Sequence, residues 1–315
     1  MPLISATPWK GRLDTAKKER LFQHVQPICG VESVTSGSLC LVGFAVDAGV
    51  VRNLGRPGAA QGPAALRTYM ANLCVTLPPS AQILDLGDIS CVGDDLEAAQ
   101  AELGEVVKGI LDAGGFPLIM GGGHETAWGT YQGIASHGVD PLEIVNFDAH
   151  LDLRPVEAGR GTSGTPFTQM AEACEAANRT FSYSCVGIQP SSNTQTLFAR
   201  AAASKTDVMR AETCIQDPEH VRQHLQEKLR RTQNLYLSFC LDVIHASVAP
   251  GVSAPQGLGL FPNQFFPLLD LCLASPYLRA FELVEFAPCY DPTGCTGKLA
   301  AEILRKVIVA YFLRQ

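Results

Sequence analysis

Several large functional classes are excluded by what the sequence does not contain. It has no run of lysine or arginine long enough to neutralise a line of phosphates, and it carries a formal charge of −7. A nucleic-acid partner is therefore not expected. Its apolar stretches are short and interrupted, which argues against a membrane span, and residues 1–20 lack the continuous apolar core of a signal peptide. There is no Gly-x-Ser-x-Gly elbow for serine hydrolysis. Gly121-Gly122-Gly123 is not followed by the Gly-Lys-Ser/Thr that holds nucleotide phosphates. No linker, fixed-period repeat or low-complexity segment interrupts the chain.

Cysteine is not scarce, but its pattern excludes something too. The eleven cysteines are an odd number and sit mostly in apolar segments, as at Cys40, Cys74, Cys185 and Cys272. Such residues act as small buried hydrophobes. A disulfide framework is not expected, and the chain reads as a reduced, cytoplasmic protein.

The chain has 315 residues, 46% of them hydrophobic, enough for a substantial core in one α/β domain spanning residues 1–315. Residues 1–37 are poorly informative beyond a possible helix over Thr15–Gln26. From Leu39 onward apolar strand-like runs alternate with amphipathic helical stretches, for example a strand at Phe116–Met120 and helices at 94–113 and 217–231. This alternation predicts a mainly parallel sheet covered by helices on both faces. Ligands of such sheets gather beyond the carboxyl ends of the strands. Asp47, His124, Asp148, Asp242 and Glu285 all fall at or just after a predicted strand end.

The chemistry concentrates in Asn146-Phe147-Asp148-Ala149-His150-Leu151-Asp152-Leu153-Arg154. In extended backbone, Asp148, His150 and Asp152 would share one face and form one wall of a metal site. Upstream, Gly121-Gly122-Gly123-His124-Glu125 lets backbone crowd a site and places His124 at a helix start. Downstream, Ser238-Phe239-Cys240-Leu241-Asp242-Val243 sets Cys240 and Asp242 two apart at a strand end. These six candidate ligands are rich in carboxylate, which suits Mn²⁺ better than structural zinc. Bridging carboxylates can hold two ions, and such a pair yields hydroxide near neutral pH.

With these three motifs the sequence resembles the ureohydrolases, a family that includes arginase, agmatinase and formiminoglutamase, over about residues 39–313. The resemblance implies an arginase-like three-layer α-β-α sandwich, a two-manganese centre and a homo-oligomer, trimer or hexamer. It implies that His124, Asp148, His150, Asp152 and Asp242 are metal ligands. Glu285, in Leu283-Val284-Glu285-Phe286, would contact the amidine of the substrate, so catalytic work falls to Glu285 and Asp152. Where arginases carry the first of two aspartates, this chain has Cys240. A thiolate there is a softer ligand, and its oxidation would lower metal content.

The histidine that arginases carry in a Ser-Gly-Asn-x-His segment is missing from Thr162-Ser163-Gly164-Thr165-Pro166-Phe167. Arg154 follows the metal motif, Arg160 lies six residues on, and Asn53 and Arg56 sit on the glycine-rich stretch after Asp47. Arginines grip carboxylates bidentately, so these four are the expected binders of a small amidine amino acid with carboxylates. The segment 162–167, Arg154 and Ala249-Pro250-Gly251-Val252-Ser253-Ala254-Pro255 most resemble the formiminoglutamase branch. That branch hydrolyses N-formimino-L-glutamate to L-glutamate and formamide in histidine degradation, by a metal-bridging hydroxide. Two alternatives stand beside it: an agmatinase or guanidino-acid hydrolase releasing urea, and a non-catalytic ureohydrolase-like protein with an impaired metal site. His245, three residues past Asp242, either lines the pocket or sits on an exposed loop.

Overall fold

The computed structural model describes residues 6–15 and 17–314. Among them, nine strands form one sheet in the order β1-β3-β2-β4-β9-β8-β5-β6-β7. The strands are β1 (Val25–Pro27), β2 (Leu39–Ala45), β3 (Ile83–Ser90), β4 (Phe116–Met120), β5 (Glu143–Phe147), β6 (Ser182–Ile188), β7 (Asp207–Arg210), β8 (Leu235–Cys240) and β9 (Leu278–Val284). Every ladder in the sheet is parallel. The connections carry α1 (Ala48–Arg52), α2 (Gly62–Ala71), α3 (Leu96–Asp112), α4 (Thr126–Ser136), α5 (Pro166–Ala176), α6 (Gln195–Ala203), α7 (Ala211–Gln216), α8 (Pro218–Arg231), α9 (Pro262–Leu273) and α10 (Cys295–Leu313).

Strand alternation sorts the apolar residues into two cores. Leu39, Leu41, Leu118, Met120, Phe147, Leu237, Phe239 and Leu283 pack on one face against α2, α7, α8, α9 and α10. Cys40, Val42, Ile119, Ile144, Tyr183 and Tyr236 pack on the other against α3, α4, α5 and α6. Both faces of the central strands are therefore apolar, as helix-covered parallel strands require. The result is the three-layer α-β-α sandwich. No helix among the described residues is long and apolar enough to cross a membrane.

Four sequence readings differ from the structure. Outside Ala16, which is not described, Thr15–Gln26 is not helical: it holds a single 3₁₀ turn at Leu21–Gln23 and then β1. The amides of Glu19 and Arg20 donate to the Gln23 side chain, and that of Leu21 to the carbonyl of Leu73, so they do not serve a helix. The glycine-rich stretch after Asp47 contains the short α1. The edge strand β7 and helix α7 give no clear period in the sequence. In α9, Pro267 lies inside the helix and interrupts the pattern that would have announced it.

Candidate metal centre and active site

Four adjacent strands in the middle of the sheet, β4, β9, β8 and β5, deliver the candidate ligands and Glu285 to one edge. His124 stands in the turn between β4 and α4. That turn is tight: a side chain at Gly121 would come within 2.6 Å of Val284, and one at Gly122 would overlap the Val46 carbonyl. The glycines let the loop lie against β9 and the end of β2, which carries His124 in beside Asp148 and Glu285.

The expected extended run of Asp148, His150 and Asp152 is not extended. β5 ends at Phe147, and the Asp148 Oδ1 atom turns back to accept the amide of His150 at 2.7 Å. Asp152 has a φ of 47°, a left-handed conformation that aspartate tolerates better than most residues. The bend still brings all three side chains to the site. Cys240 closes β8, and Asp242 follows in a 3₁₀ turn at Leu241–Val243 rather than on the same strand face.

The donor atoms fall into two groups, each with mutual distances within 4.8 Å. One is His124, Asp148 and Cys240; the other is Asp148, His150 and Asp242. Asp148 belongs to both. Nδ1 of His124 lies 2.8 Å from Asp148 and 2.9 Å from Asp152, and Nδ1 of His150 lies 3.0 Å from Asp242.

Despite these short distances, Nδ1 of the buried His124 has no hydrogen-bond partner. The side chains behind it explain why. Thr130 and Ser238 both donate to the buried Glu282 carboxylate, at 2.7 and 2.8 Å. The Ser238 oxygen is then free to accept from Nε2 of His124, 3.0 Å away. With Nε2 as the donor to Ser238, Nδ1 is the nitrogen left facing two carboxylates, where it can offer a cation its lone pair in exchange for a proton. An imidazole nitrogen set this close to two carboxylates fits a cation. Two overlapping donor groups with a shared carboxylate fit a binuclear centre.

Burial opposes a charge on His124, but the facing Asp148 overrides it and raises the pKa well above the ordinary histidine range. His150 is raised in the same way, with Asp242 overriding burial. Burial pushes the Cys240 thiol up, and Asp148 adds to the effect. Without a cation burial thus favours the thiol over the thiolate, and only 1% of Cys240 is exposed, where it lines the cleft over this centre.

Glu285 follows β9 with a φ of 68°, a strained conformation for glutamate. It is fixed at both ends: its amide donates to the Gly122 carbonyl, and its Oε1 accepts from the His124 amide at 2.9 Å. Its Oε2 is buried without a partner. Burial raises its pKa, and the neighbouring Glu125 raises it further. Burial likewise pushes Glu125 up to about 7.

A cleft of about 210 Å³ opens over this centre, and His124, His150, Asp152, Cys240, Asp242 and Glu285 line it. Arg154 and Asn53 line it too, beside Ser163, Ser192 and Ser253. Arg154 makes no hydrogen bond or ion pair through its guanidinium among the described residues, while Asn53 donates to Ser163 at 3.1 Å. The other two expected arginines are engaged elsewhere. Arg56 donates to the carbonyls of Ser253 and Val252 and lies over the Tyr290 ring. Arg160 pairs with Asp94. Neither is among the residues that line the cleft. His245 bonds Ser247 and stacks on Phe261, also away from the cleft. Asp47 accepts the amides of Gly58 and Ala60 and shapes the loop.

Sequence reasoning passed over Glu282, Thr130 and the role of Ser238. A signal was present, since a glutamate inside the apolar run Leu278–Val284 is buried and needs a partner.

The arginase family model matches residues 38–310. The formimidoylglutamase of Ralstonia nicotianae is 42% identical over 312 residues, covering 96% of this chain and 94% of that protein. That of Cupriavidus pinatubonensis is 40% identical over 318 residues, with 97% and 98% covered. Among solved structures, Trypanosoma cruzi formiminoglutamase with Mn²⁺ aligns with a TM-score of 0.78 at 26% identity, covering 88% of this chain and 94% of that one. Bacillus subtilis formimidoylglutamase aligns with a TM-score of 0.84 at 21% identity, covering 96% and 95%, a likeness of fold.

Proposed function

Because the chain belongs to the arginase family, we propose that it hydrolyses N-formimino-L-glutamate to L-glutamate and formamide. The relatives of about 40% identity carry the formimidoylglutamase name, and they favour neither a urea-releasing enzyme nor a non-catalytic protein. The observation that carries the reading is the polarity of the cleft. Its lining includes Glu285, which has an unpartnered carboxylate oxygen, the candidate metal-binding side chains, and Arg154, whose guanidinium has no partner among the described residues. A substrate with a cationic amidine and carboxylates matches both carboxylate and guanidinium.

His124, Asp148 and Cys240 would hold one manganese ion, and Asp148, His150 and Asp242 the other, with Asp152 beside His124. The two ions, when bound, supply hydroxide near neutral pH by lowering the pKa of water. Glu285 accepts the amidine N–H groups with its free oxygen, and the cation it binds offsets the cost of its buried charge. Arg154 binds a substrate carboxylate through paired N–H donors, with Asn53 and Ser163 beside it. As water adds to the formimino carbon and the bond to the glutamate nitrogen breaks, a proton must move to that nitrogen. This reading assigns that transfer to Asp152, which lines the cleft. The same reading includes a role in histidine degradation, a cytoplasmic setting and a homo-oligomer.

The test is product analysis with purified, manganese-loaded protein. Formamide and glutamate should appear from formiminoglutamate, with no urea from arginine or agmatine. Urea release, or no turnover by protein that has taken up manganese, would overturn the proposal.

A further inference from the structure

We infer that Glu125 is a positioning residue that sets substrate affinity by holding the loop opposite the metal centre in place. The inference rests on the proposed function for the identity of the substrate. Glu125 follows the ligand His124 in sequence but is fully buried and does not line the cleft. Its Oε1 accepts the amide of Gly49 at 2.7 Å. The Gly49 carbonyl in turn accepts two amides, that of Asn53 at 2.9 Å and that of Ser163 at 3.1 Å. Asn53 and Ser163 are the polar cleft residues whose side chains bond each other. One residue, Gly49, held through its amide by one carboxyl group, thus joins through its carbonyl two segments more than a hundred residues apart in sequence.

The fit around that carboxyl group is close. A side chain at Gly49 would come within 2.5 Å of its Cδ, and one at Gly123 would overlap its Oε2. On its other side, Gln100 donates to the Glu125 main-chain carbonyl at 2.7 Å. Glu125 therefore sits between the turn that presents His124 and the loop that presents Asn53. Its effect on the reaction passes through Asn53 and Ser163, not through contact with substrate.

Two variants separate this hydrogen bond from the charge. Glu125→Gln keeps an oxygen acceptor at the same reach and removes the charge. Glu125→Asp keeps the charge and falls one methylene short of Gly49. KM and kcat for formiminoglutamate, the inhibition constant of L-glutamate and manganese stoichiometry would be measured for each, with thermal melting as a folding control. Glu125→Gln should stay within about threefold of wild type in KM, whereas Glu125→Asp should raise KM and the glutamate inhibition constant by roughly tenfold, with kcat less affected and manganese unchanged. The inference falls if the Gln variant is the more damaged, or if both variants lose manganese or kcat with KM unmoved. If Glu125→Asp does not fold, the Gln variant alone decides, since a tenfold rise in its KM would sink the idea. Wild-type protein that releases no formamide would instead count against the proposed function.

Discussion

Nδ1 of His124 and Oδ2 of Asp148 stand 2.8 Å apart without a hydrogen bond between them. The Ser238–Glu282 pair behind the imidazole is what makes this possible, because it takes the proton-bearing nitrogen. Ser238→Ala should leave His124 free to rotate or change tautomer. Its manganese affinity is expected to fall about 10- to 100-fold, the usual cost of losing a group that orients a ligand. Metal-competition titration would check this, and unchanged affinity would show that the pair has no orienting role.

The sharing of Asp148 sets apart two substitutions. Asp148→Asn removes a donor from both groups and should abolish binding of both ions. Cys240→Ala touches one group only and should reduce the metal stoichiometry from about two to about one. Cys240→Asp, by offering a harder oxygen in place of a buried thiol, should bind the ion in that group more tightly. Elemental analysis of dialysed protein distinguishes the three outcomes.

Arg154, Arg56 and Arg160 looked alike in the sequence but should differ in kinetics. Arg154→Ala is expected to raise KM for formiminoglutamate by roughly 10- to 100-fold, the range for losing a charge-assisted bond to a carboxylate. Arg160→Ala breaks an exposed pair with Asp94 and should change KM by less than about twofold. Arg56→Ala acts only through the loop at Val252 and Ser253, so its effect should lie between the two. Steady-state kinetics on the three variants would reverse this assignment if Arg160 proved the most sensitive.

Metal binding should strengthen with pH beyond neutrality. In the metal-free protein the carboxylates of Asp148 and Asp242 raise the pKa of His124 and His150 above the usual 6.5. An incoming cation must then compete with a proton for each imidazole. These protonated histidines stabilise the metal-free fold at low pH, and that contribution is lost as pH rises through the raised values. The gain in melting temperature on adding manganese should therefore grow as pH increases above about 6.5. A gain that levels off below that value would contradict the arrangement.

The sequence made the sandwich and a set of candidate ligands legible for different reasons, although Asp152 falls in neither of the two donor groups. Strands such as Phe116–Met120 and Leu235–Cys240 are buried on both faces, so their apolar runs stand out wherever they occur. His124, Asp148, His150, Asp152, Cys240 and Asp242 stood out because three motifs of ligand-type residues fall at the ends of predicted strands, although position alone also picked Asp47, which shapes a loop instead. Their local geometry was not legible. The bend at Asp148–Asp152 depends on a side chain bonding its own backbone, which strand alternation does not capture. Arg56 and Arg160 were indistinguishable from Arg154 because an arginine's partner is chosen by the fold. Glu125 looked like an ordinary first-turn residue, since nothing local reveals that its carboxyl group reaches Gly49.

The placement of the candidate ligands and Glu285 at the ends of four neighbouring strands has a consequence for how this scaffold can diversify. β4, β9, β8 and β5 are locked to one another by their ladders, so spacing within the centre is inherited from the sheet itself. Asn53, Ser163 and Ser253 reach the cleft from connections outside those strands, and Arg154 from the chain beyond β5. A change of loop sequence can thus alter the wall of the cleft while the candidate metal ligands and Glu285 stay in register. Under the proposed function, the groups that grip the far end of a substrate are replaceable separately from those around its amidine.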